Sequence, residues 1–284
     1  MPLRSNPTYR QERLGAELRK MRERAGVTAR AAAALLSSSP MYQSHVENGR
    51  SGISEDRIRR LARHCACDDS AYVDALVGMA LERGKGWWEE YRGIVVPVGL
   101  NLAELEHHAV RIQTFQMVHV PGLLQTEDHM RAAFRYASPE LTPQDLEAYV
   151  TFRLRRQHII ITDSPATPYE AIIHEAALRI LVGGRKTAHA QLQRILERSE
   201  LDHVTLRVLP FAAEDFAGAG HSMDYLHGPA PQLDTVQTET GHGSVFIDAE
   251  PLLKQYRKRY DRVAGSALSP AASRDLIVHM LQEL

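Results

Sequence analysis

Between Thr28 and Gly49 the chain carries two helix starts and two helix stops within 22 residues. Thr28 is a side-chain acceptor placed just before Ala29–Leu36. That segment is almost entirely alanine and leucine, so a strongly helical but thin element is expected there. The three serines Ser37 to Ser39 interrupt it. Ser39 followed by Pro40 is the cap and first position of another helix, running to about Asn48. Gly49 ends that helix, because it can take the left-handed exit that alanine could take only at a cost. Ala33 is small enough for the two helices to cross at close range, and Leu36 and Val46 fill the wedge between them.

Three further helices frame this pair. One is expected from Gln11 to Ala25, where Leu14, Leu18, Met21 and Ala25 share a face and Gly26 follows. Another begins at Ser54 with Ile58 and Leu61 inward, and a fifth spans Ala71 to Arg83. The segment is also basic. Residues 1–63 hold 13 Arg and Lys against six Asp and Glu, a net +7, whereas the other 221 residues hold 21 against 29, a net −8. A basic head on an acidic body suits a DNA-binding domain tethered to a second domain.

The stretch TARAAAALLSSSPMYQSHVENGR resembles the XRE, lambda-repressor-like helix-turn-helix family. Thr28, Ala33, Leu36, Ser39, Ser44, Val46, Glu47, Asn48, Gly49 and Arg50 fall on its pattern. The resemblance implies an all-α helix-turn-helix bundle over residues 8–83, binding double-stranded DNA as a homodimer. It implies base contacts from Ser39, Met41, Tyr42, Ser44 and His45, and backbone contacts from Thr28, Arg30, Asn48 and Arg50. Three positions depart from the pattern: Ser37 replaces the turn glycine, Ala29 a glutamine, and Gln43 an inward Ile or Val. Pro40 brings no donor to the reading edge. Met41 is left either to touch a thymine methyl or to pack inward in place of Gln43.

The composition changes around Gly84-Lys85-Gly86, and a second domain is expected over residues 87–284. Its pattern is α+β with a mixed sheet of about four to six strands. Asn101-x-x-Glu104 reads as a capping box opening a helix with Leu102, Leu105, Ala109 and Ile112 on one face. Strands are expected at Phe115–Val120, Val204–Leu209, Met223–Leu226, Val236–Glu239 and Val245–Ile247. A helix starts at Thr142-Pro143, and two more close the chain, Glu250–Leu268 and Ser269–Leu284. The segments LEHHAVRIQTFQMVHVPGLLQTEDHMRAAFRYA, RLRRQHII, EAALRILVGG, HVTLRVLPF and LSPAASRDLI resemble the C-terminal domain of an actinobacterial regulator group that includes WhiJ-type proteins. That resemblance implies an effector or partner-binding domain, answering to a small partner protein or a small-molecule effector. An antitoxin-like interaction protein is the competing reading.

Other signals are weaker. His64-Cys65-Ala66-Cys67 has no second ligand pair and His107-His108 no i, i+4 partner, so no metal site is expected. Gly-rich phosphate loops, G-x-S-x-G and H-E-x-x-H are absent, so neither an enzyme nor a cofactor is expected. The loops at Gly218–His221 and Gly241–Gly243 read as hairpin turns or as ligand-site lining. Arg153, Arg155 and Arg156 read as solvated surface, or as a seat for an anionic ligand or acidic partner. Trp87 and Trp88 read as an anchor for a dimer or a seat for the head. No membrane-length apolar run and no secretory h-region occur, so a cytoplasmic protein is expected.

Overall fold

A computed structural model describes residues 3–82, 86–161, 165–216, 221–240 and 243–284. The chain divides into two compact units, Met1–Trp87 and Trp88–Leu284. Arg83, Gly84, Lys85, Gly218–Gly220, Gly241 and His242, on which several expectations fall, lie outside the described residues. No helix among the described residues is long and apolar enough to cross a membrane.

Among the described residues the first unit holds five α-helices. Thr8 opens α1 (Tyr9–Arg24) two residues before the expected start, because its hydroxyl accepts from the Gln11 N–H while the Gln11 side chain accepts from the Thr8 N–H. Thr28 caps α2 (Ala29–Leu35) and Ser39 caps α3 (Pro40–Glu47), as their residue types demand. Ser54 occupies the cap position of α4 (Glu55–His64), but its side chain makes no capping bond. Asp69 caps α5 (Ser70–Leu81) through the Tyr72 N–H. Leu18, Leu36, Ile58, Leu61 and Leu76 are fully buried at the centre. A Cβ on Gly15 would sit 2.5 Å from the Val46 carbonyl oxygen, so α1 and α3 approach as closely as a bare backbone permits.

The second unit is built on a six-stranded mixed sheet in the order β3-β2-β1-β4-β5-β6. Its strands are β1 (Arg111–Gln116), β2 (Tyr169–His174), β3 (Val204–Leu209), β4 (Met223–His227), β5 (Thr235–Thr240) and β6 (Gly243–Ile247). β1, β2 and β3 are parallel, and β4, β5 and β6 continue antiparallel from β1. Parallel neighbours need crossovers. These come from α7 (Glu127–Ala137) with α8 (Pro143–Arg156), and from α9 (Glu175–Arg179) with α10 (Arg185–Arg198).

Alternation along the strands divides the core. Ile112, Tyr169, Ile173 and Leu206 belong to one buried cluster with Leu192 and Ile195 of α10 and with Ile277 and Met280 of α12 (Pro270–Glu283). Phe115, Ile172, Met223, Tyr225 and Val236 belong to another, with Leu253, Tyr260 and Val263 of α11 (Glu250–Ser266).

Four expectations need correction. The helix read as starting at Asn101 is α6 (Pro97–His108), begun by Pro97, with Asn101 inside it. Ile112, placed on that helix face, belongs instead to β1, where it pairs with Tyr169 on one side and Leu226 on the other. The strand expected from Phe115 to Val120 therefore starts four residues earlier and ends at Gln116. Neighbouring strands on both sides outweigh a helical period that happens to continue past Ala109. The arginines of α8 do not form a solvated patch either, since Arg156 is 9% exposed.

Candidate nucleic-acid interface

The pair α2–α3 presents its outer edge through the same caps that start its helices. Thr28 accepts from the Ala31 N–H at 3.1 Å, and Ser39 accepts from the Tyr42 N–H at 3.1 Å. Along α3 the inner positions are Gln43 and Val46, both buried, while Ser39, Pro40, Met41, Ser44, Asn48 and Arg50 are exposed. Thr28 and Arg30 are exposed at the start of α2, and His45 is half-buried. Met41 is 71% exposed, so of its two expected roles the inward one is not taken.

Two candidate contacts also carry structural duties. Tyr42 is half-buried, its hydroxyl donates to the Gly52 carbonyl at 2.6 Å, and the Arg57 guanidinium lies 5.0 Å from its ring centroid. The Asn48 amide donates to the Ser44 carbonyl at 2.7 Å. At the helix exit Gly49 has φ +70°, and the Arg50 N–H returns to the His45 carbonyl at 2.8 Å. A Cβ at Gly49 would lie 2.8 Å from the backbone of Gln11, so glycine is required for space as well as for conformation. The turn residue Ser37 takes φ +51°, a conformation that a glycine there would adopt freely.

A buried ion pair fastens this edge to the bundle. Arg22 of α1 reaches both carboxylate oxygens of Glu47, Nε to Oε1 at 2.6 Å and Nη2 to Oε2 at 2.8 Å, and its Nη1 donates to the Val27 carbonyl at 2.8 Å. Gln43 donates from Nε2 to Glu47 Oε1 at 2.7 Å, which explains a polar residue at this inward position, although its own Oε1 has no partner. Burial alone would raise the Glu47 carboxyl, but hydrogen bonds from Arg22 and Gln43 outweigh it and hold the group below its ordinary value. Glu47 fits the sequence pattern, yet nothing local identifies its counter-charge 25 residues away. The one available signal is a polar triad, Arg22, Gln43 and Glu47, on faces otherwise expected to be apolar.

The edge therefore offers side-chain caps at Thr28 and Ser39, small hydroxyls and the exposed Arg30 and Arg50, residue types that suit phosphate and base contact. A family model described as a helix-turn-helix domain matches residues 13–76, and the helix-turn-helix points to DNA binding. No curated protein and no solved structure matches the chain. A second model, described as a domain of unknown function (DUF5753), matches residues 100–279, well over half of the chain. The protein thus belongs to the DUF5753 family, with a helix-turn-helix domain ahead of that domain.

Proposed function

We propose that this protein is a sequence-specific transcription regulator of the XRE type, not an enzyme, whose α3 enters the major groove of operator DNA. The reading rests on one observation: α3 starts from a side-chain cap and turns Met41 and Ser44 to solvent while burying Gln43 and Val46. Ser39, Met41, Tyr42, Ser44 and His45 face bases, and Thr28, Arg30, Asn48 and Arg50 face the sugar-phosphate backbone. With its hydroxyl engaged by Gly52, Tyr42 contributes its ring edge. Met41 offers a thymine methyl an apolar partner. Two copies acting as a homodimer would set their recognition helices about 34 Å apart, one DNA turn. The protein works in the cytoplasm, belongs with the WhiJ-like actinobacterial regulators, and is controlled through the DUF5753 domain by a small partner protein or a small ligand.

The test is selection of genomic fragments by the purified protein at roughly physiological salt, where phosphate-only binding is weak. One enriched sequence, with half-sites about 10 base pairs apart, supports the proposal. Recovery of bulk DNA only, together with copurification of a small protein, sinks it in favour of an antitoxin-like interaction protein.

A further inference from the structure

The three arginines ending α8 have different fates. Arg155 pairs with Glu90 at the surface. Arg156 is buried, and its guanidinium takes both oxygens of Glu106, at 2.7 and 2.6 Å. Arg153, one turn earlier, has no such partner. Its Nη1 donates to Gln125 Oε1 at 2.7 Å, and its guanidinium lies 4.2 Å from the ring centroid of Phe134. Among the described residues no carboxylate forms an ion pair with it, and Glu239 and Glu106 act on its charge only from beyond contact.

The amide that receives Arg153 is itself fixed. Gln125 is 6% exposed, its Nε2 donates to the Val120 carbonyl at 2.8 Å, and its own carbonyl accepts from Gln157 Nε2. His129 of α7, which feels the charge of Arg153, is 4% exposed, and its Nδ1 has no hydrogen-bond partner. Burial, reinforced by the charge of Arg153, lowers the His129 imidazole to about 4, so the ring is neutral near pH 7. Burial, with Arg156 next to it, also lowers Arg153 to about 10.

Buried cations are ordinarily paired with carboxylates, and buried imidazole nitrogens are ordinarily hydrogen-bonded. A neutral amide and an aromatic face compensate a guanidinium only in part, leaving further N–H donors for an acceptor. Arg153 is half-buried rather than sealed, so that acceptor can arrive from solvent. An oxyanion meets both deficits, since guanidinium donors bind carboxylate and phosphate in two-point fashion.

We propose that Arg153, Gln125 and His129 form the head of a binding site for a small oxyanionic molecule, a carboxylate or a phosphate. Its oxygens take the remaining donors of the Arg153 guanidinium and the Nδ1–H of His129, while Gln125 holds the arginine in place. This deepens the proposed control by a small ligand and rests on that reading for its regulatory meaning. The binding itself is measured without DNA, so its failure is separable from failure of operator contact.

The test is scanning calorimetry of the full chain with sodium acetate or inorganic phosphate, against sodium chloride at equal ionic strength. At ten times its dissociation constant, either oxyanion should raise the C-terminal transition by roughly 3–6 °C. Arg153→Gln should abolish the rise, and Arg155→Gln should keep it. In chloride alone Arg153→Gln should melt no lower than the parent, because an uncompensated charge has been removed. A response to acetate only assigns a carboxylate and a response to phosphate only a phosphate ligand; either supports the site. No saturable rise with either anion overturns it, as does an equal rise in Arg153→Gln. A much lower melting temperature for Arg153→Gln in chloride also overturns it, for the arginine is then a structural cation.

Discussion

Replacing Glu47 by Leu while leaving Arg22 in place isolates the contact that ties the recognition helix to α1. Both side chains are nearly enclosed, 8% exposed for Arg22 and 7% for Glu47, so solvent screens the exposed charge very little. Losing one member of such a pair leaves the other buried and uncompensated, at about 3–5 kcal/mol. For a unit of this size each kcal/mol moves the melting temperature by about 4–8 °C, so a fall of at least ~12 °C is expected. Arg22→Met with Glu47→Leu should recover most of this loss, because an apolar pair of similar volume is often as stable as the ionic one. Recovery will be incomplete, since the Gln43 amide also loses its acceptor, at about 1–3 kcal/mol. Adding Gln43→Leu should remove that remainder. Scanning calorimetry of the full chain reads the parent, these three variants and Arg22→Met alone, and one transition should move while the other stays. If Glu47→Leu shifts neither transition by more than ~2 °C, or the two single losses add without coupling in the double variant, the pair does not hold the edge.

Three further outcomes follow from the same geometry. Ser37→Gly should stabilise the first unit by about 1 kcal/mol, because a side chain at φ +51° is strained and glycine is not; a destabilised variant in urea unfolding would contradict this. Arg50→Ala should weaken all DNA sequences alike and lower the salt dependence by about one phosphate contact, whereas Ser44→Ala should change preference among sequences; fluorescence anisotropy over a salt series separates the two, and unchanged binding by Arg50→Ala would refute the docking. Asp224 is raised from 3.8 to about 6, chiefly by burial against the opposing hydrogen bond from Thr114. An acid with a raised folded value holds its proton longer when folded, so its contribution is present below pH 4 and lost as pH rises towards 6. Asp224→Asn should therefore remove a fall in the C-terminal melting temperature between those values, and an identical pH profile in the two proteins would refute it.

Most of the first unit was legible because its information is local. Thr28, Ser39 and Gly49 act on N–H groups and dihedrals within a few residues, and α2 and α3 begin where those residues predict. The family pattern likewise puts Gln43 and Val46 on the inner side without a partner being known, whereas the outward place of Met41 is decided only by the fold. Much of the second unit was less legible. Central strand β2 carries Glu170 and His174 among its apolar residues and was not anticipated, and β1 was misplaced by four residues. A strand in mid-sheet is chosen by the neighbours on both sides of it, here β2 and β4 around β1, and those lie 57 to 116 residues further along the chain.

The amino-acid order alone therefore determined where the five N-terminal helices lie, that Gln43 and Val46 sit on the inward side of α3, and that a mixed α+β domain follows. Tertiary structure alone decided how charge is distributed inside. It joined Arg22 to Glu47, gave Arg156 its carboxylate, and left Arg153 with an amide and an aromatic ring. Caps and periodicity are short-range effects, readable one turn at a time. The environment of a charge depends on which distant surfaces close over it, and only the folded chain brings those surfaces together.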